Sequence, residues 1–383
     1  MTQAKLLSGV PSINKAVFWK IRFHAHDPAS VIEMPDGRTT LILRDVELAR
    51  AKTDARADEV FVYEDFTPEG GLSGDREVRA AQSTAECLVR AGVTEVVGDR
   101  SVPWVVVDEL LARGIEVTCD YDLGVIGRRM KSDEEVEHLR RAQRATEDVI
   151  EWACTTIARA KALSSGELED PEASGEALTT ERMRRRIESR LMDAGFLSEH
   201  SIVACGAVGA DCHHGGAGAL RTGEPIIVDV FPRDLETGYH GDCTRMVAHG
   251  DVPDVVVKMH DTVVRAKKAS IEATRAGATG EDVHRAVIGV IEGAGYAMGF
   301  PPEGAAAGFC SMPHGTGHGL GLDLKEPPLL DLGGPELLAG DAVTVEPGLY
   351  MLGVGGMRLE DLLIVRAGGC ENLNTLGEGL DWR

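Results

Sequence analysis

Four acidic residues in the second half of the chain are spaced so that their carboxylates could meet in pairs. Asp229 and Asp242 lie in EPIIVDVFPRDLETGYHGDCTRMVAHG (224–250), which reads as two strands joined by a turn. A fold-back between Leu235 and Glu236 would place the two acids opposite one another. Such carboxylates repel unless they are neutralised, as a bound metal ion would do. A shifted fold-back with both acids solvated is the alternative for this hairpin taken alone.

The same arrangement recurs downstream in DAVTVEPGLYMLGVGGMRLEDLLIV (341–365). Here a fold-back centred near Gly353 would pair Glu346 with Glu360, and Asp361 would point to the opposite face of its strand. Buried carboxylates must be protonated, paired or bound to metal. Two hairpins that each present a pair of acids among apolar residues therefore predict a buried acidic cluster.

Two histidines lie between the hairpins, His314 and His318 in SMPHGTGHGLGLDLKEPP (311–328). The glycines suit a close approach of the backbone to a site. A lone histidine there would more often be a hydrogen-bonded core group, but four acids complete a set of one imidazole and four carboxylates. That set suits two divalent ions bridged by carboxylates, roughly 3.5–4 Å apart. An oxygen-rich set with one imidazole favours Mn²⁺, with Co, Zn or Fe as alternatives.

Two domains are predicted to carry these residues, 1–127 and 128–383. In the first, strands alternate with helices, which is typical of a small α/β domain. No cluster of metal ligands occurs in it, so we assign it packing, assembly or gating roles. The predicted strands are TTLILR (39–44), EVFVYE (59–64) and VTEVVGD (93–99), and the predicted helices cover 76–92 and 102–114.

A long helix is predicted to open the second domain, because Ser132 and Glu135 form a capping box. The acidic, Gly-, Pro- and Ser-rich segment 164–177 is interpreted as a mobile surface loop. In the next helix, 179–195, arginines interleave with glutamates. This spacing favours a solvated, salt-bridged face over a binding patch.

Composition excludes several classes of protein. The net charge of −22 argues against a nucleic-acid partner. No run reaches the roughly 18 apolar residues of a membrane span. The first residues lack an apolar export signal, and none of the eight cysteines forms a C-x-x-C pair, so we expect free thiols and a cytoplasmic location.

Five motifs, in this order, resemble the creatinase, aminopeptidase P, prolidase and methionine aminopeptidase family, the "pita-bread" metallopeptidases. The motifs are IIVDV, TGYHGDCTR, PHGTGHGLGLDLKEPP, VTVEPGLY and MRLED. The resemblance covers most of the chain from about residue 128 and extends more weakly over the first domain. It implies an α/β N-terminal domain plus an α+β pita-bread C-terminal domain with a curved antiparallel sheet. It also suggests a homodimer.

The resemblance assigns the metal ligands residue by residue. Asp242 and Glu360 match the positions that bridge both ions. The full set of matching ligands is Asp229, Asp242, His318, Glu346 and Glu360.

The resemblance also implies residues on the substrate side. His213 in GADCHHGG matches a histidine that contacts substrate near the scissile bond, and His214 is the neighbouring alternative. His314 matches a further active-site histidine of the proline-specific branch, which we expect to bind substrate. Thr244 and Arg358 occupy positions from which side chains orient the ligand carboxylates.

Two features depart from the family pattern. Asp229 and Asp242 are thirteen residues apart, where the family commonly has eleven. Lys325, followed by Glu326, stands where the family usually has a substrate-binding histidine. Lys325 could pair with Glu326 or a ligand acid, or it could reach into the pocket and hold an anionic group of the substrate.

These expectations describe a metal-dependent hydrolase of a C–N bond, an Xaa-Pro aminopeptidase or dipeptidase using a metal-bridging hydroxide. Glu346 would carry the proton from nucleophile to leaving nitrogen, and His213 would stabilise the tetrahedral intermediate or the leaving group. One alternative is a dinuclear-metal hydrolase of a non-peptide C–N bond in a small acidic substrate. Others are a metal-free relative like creatinase and a non-catalytic binding relative, although both usually lack ligands that this chain retains.

Overall fold

The computed structural model describes residues 2–383, and the chain divides into two compact units, Met1–Arg128 and Arg129–Arg383. Among the residues described, no helix combines the length and the apolar character needed to cross a membrane.

The first unit contains a six-stranded mixed sheet with the order β4-β3-β2-β1-β5-β6. The three predicted strands and two predicted helices are confirmed as β3, β4, β5, α3 and α4, whereas β1, β2 and β6 were not predicted. The strands are β1 Gln3–Gly9, β2 Ala29–Glu33, β3 Thr39–Leu43, β4 Glu59–Val62, β5 Glu95–Asp99 and β6 Glu116–Asp120. The helices are α1 Lys15–Ile21, α2 Leu48–Asp54, α3 Arg76–Arg90 and α4 Trp104–Ala112, and a short α5, Ile126–Arg129, follows.

The predicted long helix of the second unit is confirmed as α6. Its capping box forms as expected: Glu135 N donates to Ser132 Oγ at 3.3 Å, and Ser132 N donates to Glu135 Oε2 at 2.8 Å. One face of α6 packs into the core through buried apolar residues that include Leu139 and Ile150. The helices are α6 Asp133–Ala158, α7 Thr180–Asp193, α8 Asp254–Ala273 and α9 Gly280–Gly293.

The strands of the second unit form three main sheets with the orders β10-β11-β13, β14-β15-β19-β20 and β17-β16-β18-β21-β22. Only β14 and β15 pair in parallel among these described strands. The first strands are β7 Glu169–Asp170, β8 Ala173–Ala177, β9 Phe196–Leu197, β10 Ser201–Cys205, β11 Pro225–Val230, β12 Arg233–Asp234, β13 Cys243–Ala248 and β14 Ala297–Met298. The others are β15 Cys310–Met312, β16 Gly317–Gly319, β17 Glu326–Leu330, β18 Ala342–Val345, β19 Gly348–Met351, β20 Gly355–Arg358, β21 Asp361–Arg366 and β22 Gly369–Asn372.

The interpretation of segment 164–177 as a mobile loop is wrong. Strands β7 and β8 pair within it as a small antiparallel sheet. Asp170 is buried there and accepts hydrogen bonds from Arg182 at 3.0 Å and Arg186 at 2.8 Å. Two arginines of α7 therefore fasten this segment instead of forming a solvated face, because a buried carboxylate is stable only when it is paired.

Candidate metal centre

The first hairpin forms with a register that differs from the expected one. Asp229 lies opposite Thr244, so the turn is displaced by one residue and Asp242 precedes the first residue of β13. Asp242 still projects to the same side as Thr244, since side chains two positions apart share a face. The two acids are diagonal neighbours rather than a directly opposed pair, and both are buried in the same cavity.

The second hairpin is centred on Gly353, as predicted, but it runs through two sheets. Its outer part is the β19–β20 pair and its inner part is the β18–β21 pair. Glu346 and Glu360 occupy equivalent positions between the two ladders, where the chain leaves one sheet and enters the other. This interruption of regular pairing brings both carboxylates to the cavity.

A glycine-rich strand, β16, brings the imidazole of His318 to the acids. A Cβ atom on Gly317 would lie 2.0 Å from the Thr344 carbonyl oxygen, so only glycine allows this approach. His318 N donates to Thr344 Oγ1 at 3.1 Å, and His318 Nδ1 lies 3.0 Å from the Gly319 carbonyl oxygen. The Nδ1 proton is thereby directed to the backbone, which leaves the Nε2 lone pair facing the carboxylates.

The structure brings the five predicted ligands together at one cavity of about 600 Å³. Potential ligand atoms of Asp242, His318 and Glu360 all lie within 4.8 Å of one another. His318 Nε2 is 3.7 Å from Asp242 Oδ2 and 3.5 Å from Glu346 Oε1. Asp229 completes the set at the cavity wall.

The electrostatics of this cluster fit a site for external cations. Burial, followed by the charges of Glu360 and Asp229, raises the pKa of Asp242 well above its usual range. Burial and the charge of Glu346 likewise raise the pKa of Glu360. Asp229 Oδ1 is buried without a hydrogen-bond partner among residues 2–383. Converging carboxylates with an unsatisfied oxygen are the chemistry that divalent cations complement.

Thr244 and Arg358 contact the acids directly. Thr244 Oγ1 donates to Glu360 Oε2 at 2.8 Å, and an Arg358 guanidinium nitrogen donates to Asp229 Oδ2 at 2.5 Å. Arg358 is buried and also reaches Thr244 Oγ1 at 3.3 Å. These contacts fix one carboxylate oxygen of Glu360 and one of Asp229. The second oxygen of each of these two carboxylates remains available to a metal ion.

The opposite face of β21 carries a separate ion network. Asp361 is buried and accepts from Arg245 at 2.8 Å and from Lys267 at 2.6 Å. Burial alone would raise the pKa of Asp361, but Arg245 and Lys267 lower it below its usual value. Arg245 also donates to the Glu360 carbonyl oxygen at 2.6 Å. The network therefore holds the backbone at the position from which Glu360 projects.

His213 and His214 separate clearly in space. His213 lies at the cavity wall with an exposed side chain, and its ring makes no hydrogen bond within the part of the chain that the structure describes. His214 Nδ1 accepts a hydrogen bond from Gly216 N at 3.0 Å and does not line the cavity. The geometry favours His213 as the residue able to contact a bound molecule.

His314 also lines the cavity, but both of its ring nitrogens are engaged. His314 Nδ1 lies 2.8 Å from the Gly315 carbonyl oxygen, and Nε2 lies 2.9 Å from the Tyr350 hydroxyl. Arg358 donates to that hydroxyl at 2.7 Å, which directs the Tyr350 proton toward His314. Burial lowers the pKa of His314, which favours its neutral form. A direct hydrogen bond from His314 to substrate stays a prediction that requires Tyr350 to move.

Lys325 lies at the cavity wall and is exposed. Glu326 is buried and accepts from Lys131 at 2.5 Å. Among residues 2–383, Lys325 makes no hydrogen bond or ion pair. Of the two roles considered from sequence, the pocket role is the one that this geometry favours.

Sequence reasoning missed several residues at the cavity. It also missed Tyr350, which lies behind the cavity wall and bonds to His314 and Arg358. Tyr350 follows Glu346 by four positions, and strand alternation could have placed both on one side of the chain. Nothing in the local sequence marks Arg184 on α7, because its position at the cavity arises from packing of distant segments. The other cavity residues that were not predicted include His200, Phe231 and Asp331.

Comparison with known proteins identifies relatives in both sequence and structure. The sequence model of metallopeptidase family M24 matches residues 137–367 of this chain. The "probable dipeptidase PepE" of Mycobacterium tuberculosis is 36% identical over 176 residues, which are 45% of this chain and 44% of that protein. The matched regions span between 44% and 63% of the length of these curated relatives.

Solved structures match over nearly the whole chain. An Xaa-Pro dipeptidase from Bacillus anthracis superposes with a TM-score of 0.77 and 22% identity, covering 98% of this chain and 94% of that one. Dipeptidase PepE from Mycobacterium ulcerans gives a TM-score of 0.73 and 23% identity, covering 99% and 92%. At such identities the likeness shows the fold alone. It confirms the predicted α/β region followed by an α+β pita-bread region.

Proposed function

The chain belongs to metallopeptidase family M24, and from that premise we propose that it is an Xaa-Pro aminopeptidase or dipeptidase that cleaves short peptides at or near their N-termini. The observation that carries the proposal is the convergence of four carboxylates and one imidazole at a single cavity. Members of the family bind divalent metals, generally two. Dipeptidases and Xaa-Pro peptidases among the relatives support the choice of substrate.

The ions would be held by the five predicted ligand residues, all of which line the cavity. When bound, such ions lower the pKa of a water molecule and polarise a carbonyl group. The ligand residues are Asp229, Asp242, His318, Glu346 and Glu360.

Glu346 is the carboxylate best placed to move a proton. Its side chain is 20% exposed to solvent, whereas the side chains of Asp242 and His318 are 6% and 7% exposed. Glu346 N donates to the Thr316 carbonyl oxygen at 2.7 Å, which fixes the backbone beneath the carboxylate. Glu346 can take a proton from the attacking water and deliver it to the leaving nitrogen.

His213 would act on the other side of the scissile bond. Its ring is exposed to the cavity and has no competing partner in the described chain, so it can donate to the developing oxyanion or the leaving group. Arg358 holds Asp229, while Tyr350 and His314 extend the same hydrogen-bond chain along the wall. These three residues would keep the wall rigid while substrate is oriented.

Three finer properties are also proposed. Mn²⁺ is the ion favoured by a set of four carboxylates and one imidazole. All eight cysteines are free thiols, which supports a reducing compartment such as the cytoplasm. The family resemblance supports a homodimer. Metal analysis of purified protein, cell fractionation and light scattering test these three properties respectively.

A second candidate is hydrolysis of a non-peptide C–N bond in a small acidic molecule. The observation that favours it is Lys325, a cation without a partner in the described chain at a position facing the cavity. This candidate uses the same metal ligands and differs only in what the cavity wall recognises.

A substrate screen of Mn- and Co-loaded protein distinguishes these candidates. The panel should contain Xaa-Pro dipeptides, longer Xaa-Pro peptides, matched peptides without proline, and small N-acyl or amidino acids. Cleavage confined to Xaa-Pro bonds is the expected outcome. Turnover of only the non-peptide acids would favour the second candidate, and turnover of none would count against both.

A further inference from the structure

Arg184 behaves differently from the arginines two positions to either side of it on α7. Arg182 and Arg186 both bind the buried carboxylate of Asp170. The side chain of Arg184 instead lies at the wall of the cavity that contains the carboxylate cluster. The same helix therefore uses two arginines for structure and presents a third to the candidate site.

The guanidinium of Arg184 has only one long ion-pair contact within residues 2–383. Arg184 makes no hydrogen bond among residues 2–383, and its Nε is buried without an acceptor. The nearest carboxylate is that of Glu188, 4.0 Å away. The side chain is only 27% exposed, so water reaches part of it. Buried donors without acceptors are rare in native proteins, and here the residue with the unmet donor lines a cavity.

The loop opposite Arg184 leaves space for the guanidinium. A Cβ atom at Gly215 would lie 3.0 Å from an Arg184 terminal nitrogen, and Gly215 also lines the cavity. Lys325 also lines this cavity, and it forms no hydrogen bond or ion pair with the described residues. Arg184 and Lys325 thus both line the cavity that contains the carboxylate cluster.

We propose that Arg184 is a specificity-determining residue that binds the free C-terminal carboxylate of a short peptide, with Lys325 adding positive charge. The choice of a peptide carboxylate rests on the proposed peptidase function. A guanidinium presents paired N–H donors that match the two oxygens of a carboxylate. In a chain of net charge −22, an anionic ligand needs local cations to enter. The cavity therefore favours dipeptides with a free carboxylate over their amides.

Kinetics on matched substrates test this assignment. The Mn-loaded protein and its Arg184→Met and Arg184→Lys variants are compared on Ala-Pro and Ala-Pro amide. Arg184→Met should raise KM for Ala-Pro by roughly tenfold to a hundredfold, as expected for a lost charged hydrogen bond, and change KM for the amide little. Arg184→Lys should recover part of the affinity, because it keeps the charge without the planar fork.

Arg185→Met is the matched control. Arg185 is exposed on the same helix and does not line the cavity, so this variant removes the same charge without touching the site. It should leave both KM values unchanged. The assignment would be overturned if Arg184→Met raised KM equally for Ala-Pro and for its amide. It would also be overturned if Arg185→Met raised KM for Ala-Pro as much as Arg184→Met does.

Calorimetric binding of N-acetyl-L-proline and N-acetyl-L-prolinamide separates this inference from the proposed function. The acid should bind more tightly than the amide to the original protein, and Arg184→Met should abolish that preference. If Arg184→Met abolishes the preference for the acid while no peptide is cleaved by the original protein, the carboxylate site stands and the peptidase proposal fails. If Xaa-Pro peptides are cleaved but Arg184→Met treats acid and amide alike, the peptidase proposal stands and the carboxylate site fails.

Discussion

Glu360 and Asp361 are neighbours in the chain, yet their carboxylates lie in opposite electrostatic surroundings. Glu360 faces a cavity with three other carboxylates, and burial together with Glu346 raises its pKa. Asp361 faces the reverse side, where Arg245 and Lys267 bind it. Two internal cations bind Asp361 directly, whereas no cation of the described chain forms an ion pair with Glu360, and the charge of Arg358 only partly offsets the repulsion there. We infer that the cations for Glu360 come from solution.

Asp361→Asn should produce the largest change in stability. The substitution leaves the buried Arg245 without its carboxylate and Lys267 with Glu378 alone, and breaking a buried ion pair typically costs about 3–5 kcal/mol in the free energy of unfolding. Chemical denaturation measures this, with exposed Asp381→Asn as a control. A loss no larger than the control's would show that the network behind Glu360 is not structurally important.

The same variant gives a pH dependence with a defined sign. The pKa of Asp361 is lowered in the folded protein, so its ionised form stabilises the fold above about pH 4, the pKa of an unfolded aspartate. This contribution is lost as the pH falls through the folded pKa. The stability gap between original protein and Asp361→Asn should therefore narrow in acid. A gap that widened there would contradict the ion-pair account.

His213→Ala should keep its metal but lower kcat/KM by roughly a hundredfold to a thousandfold, because it removes a donor to developing charge and no ligand. His214→Ala is the matched control and should have little effect, since His214 caps its own loop. Metal loss in His213→Ala would mean that the ligand set is wrong. Unchanged turnover would leave His213 a loop residue without a role in catalysis.

Glu360→Gln should leave stability unchanged or raised in the absence of metal, and should lower stability relative to the original protein when metal is added. Without metal, the variant removes one of several repelling carboxyl groups and should be as stable as the original protein or more so. With Mn²⁺ at about 100 times its Kd, the original protein should gain about 2.7 kcal/mol that the variant largely lacks. Thermal melts with and without Mn²⁺ measure both. The same ranking in both conditions would argue against a cation-dependent cluster.

Lys325→Met should have the smallest effect, a several-fold rise in KM for carboxylate-bearing substrates, with amidated analogues affected far less. The lysine is exposed, so the effect should weaken at high salt. Steady-state kinetics at low and high ionic strength measure it. Equal changes for acids and amides would assign Lys325 a purely structural role.

The candidate cluster could be predicted from sequence because a small error in the predicted hairpin register left the acidic side chains on the same face. The expected register of the first hairpin was wrong, yet Asp229 and Asp242 remained on one face because opposed and diagonal positions share it. Gly353 marked the second turn correctly because its hairpin pairs symmetrically about it.

Contacts between distant segments could not be predicted in the same way. Local composition suggested disorder for 164–177, but Asp170 is fastened by arginines of the following helix. Arg184 looks identical to those arginines in sequence, and only packing directs it to the cavity. The bond between Arg358 and Tyr350 is local to the β19–β20 hairpin, but its extension to His314 depends on a more distant segment reaching Tyr350.

The metal content of three variants tests the central claim most directly. Original protein, Asp242→Ala, Glu360→Ala and Asp361→Asn are dialysed to equilibrium against Mn²⁺ and analysed for bound metal per folded chain. The original protein and Asp361→Asn should hold up to two ions per chain, whereas Asp242→Ala and Glu360→Ala should lose them. Full metal content in both Asp242→Ala and Glu360→Ala would contradict the assignment of this cluster as the metal centre.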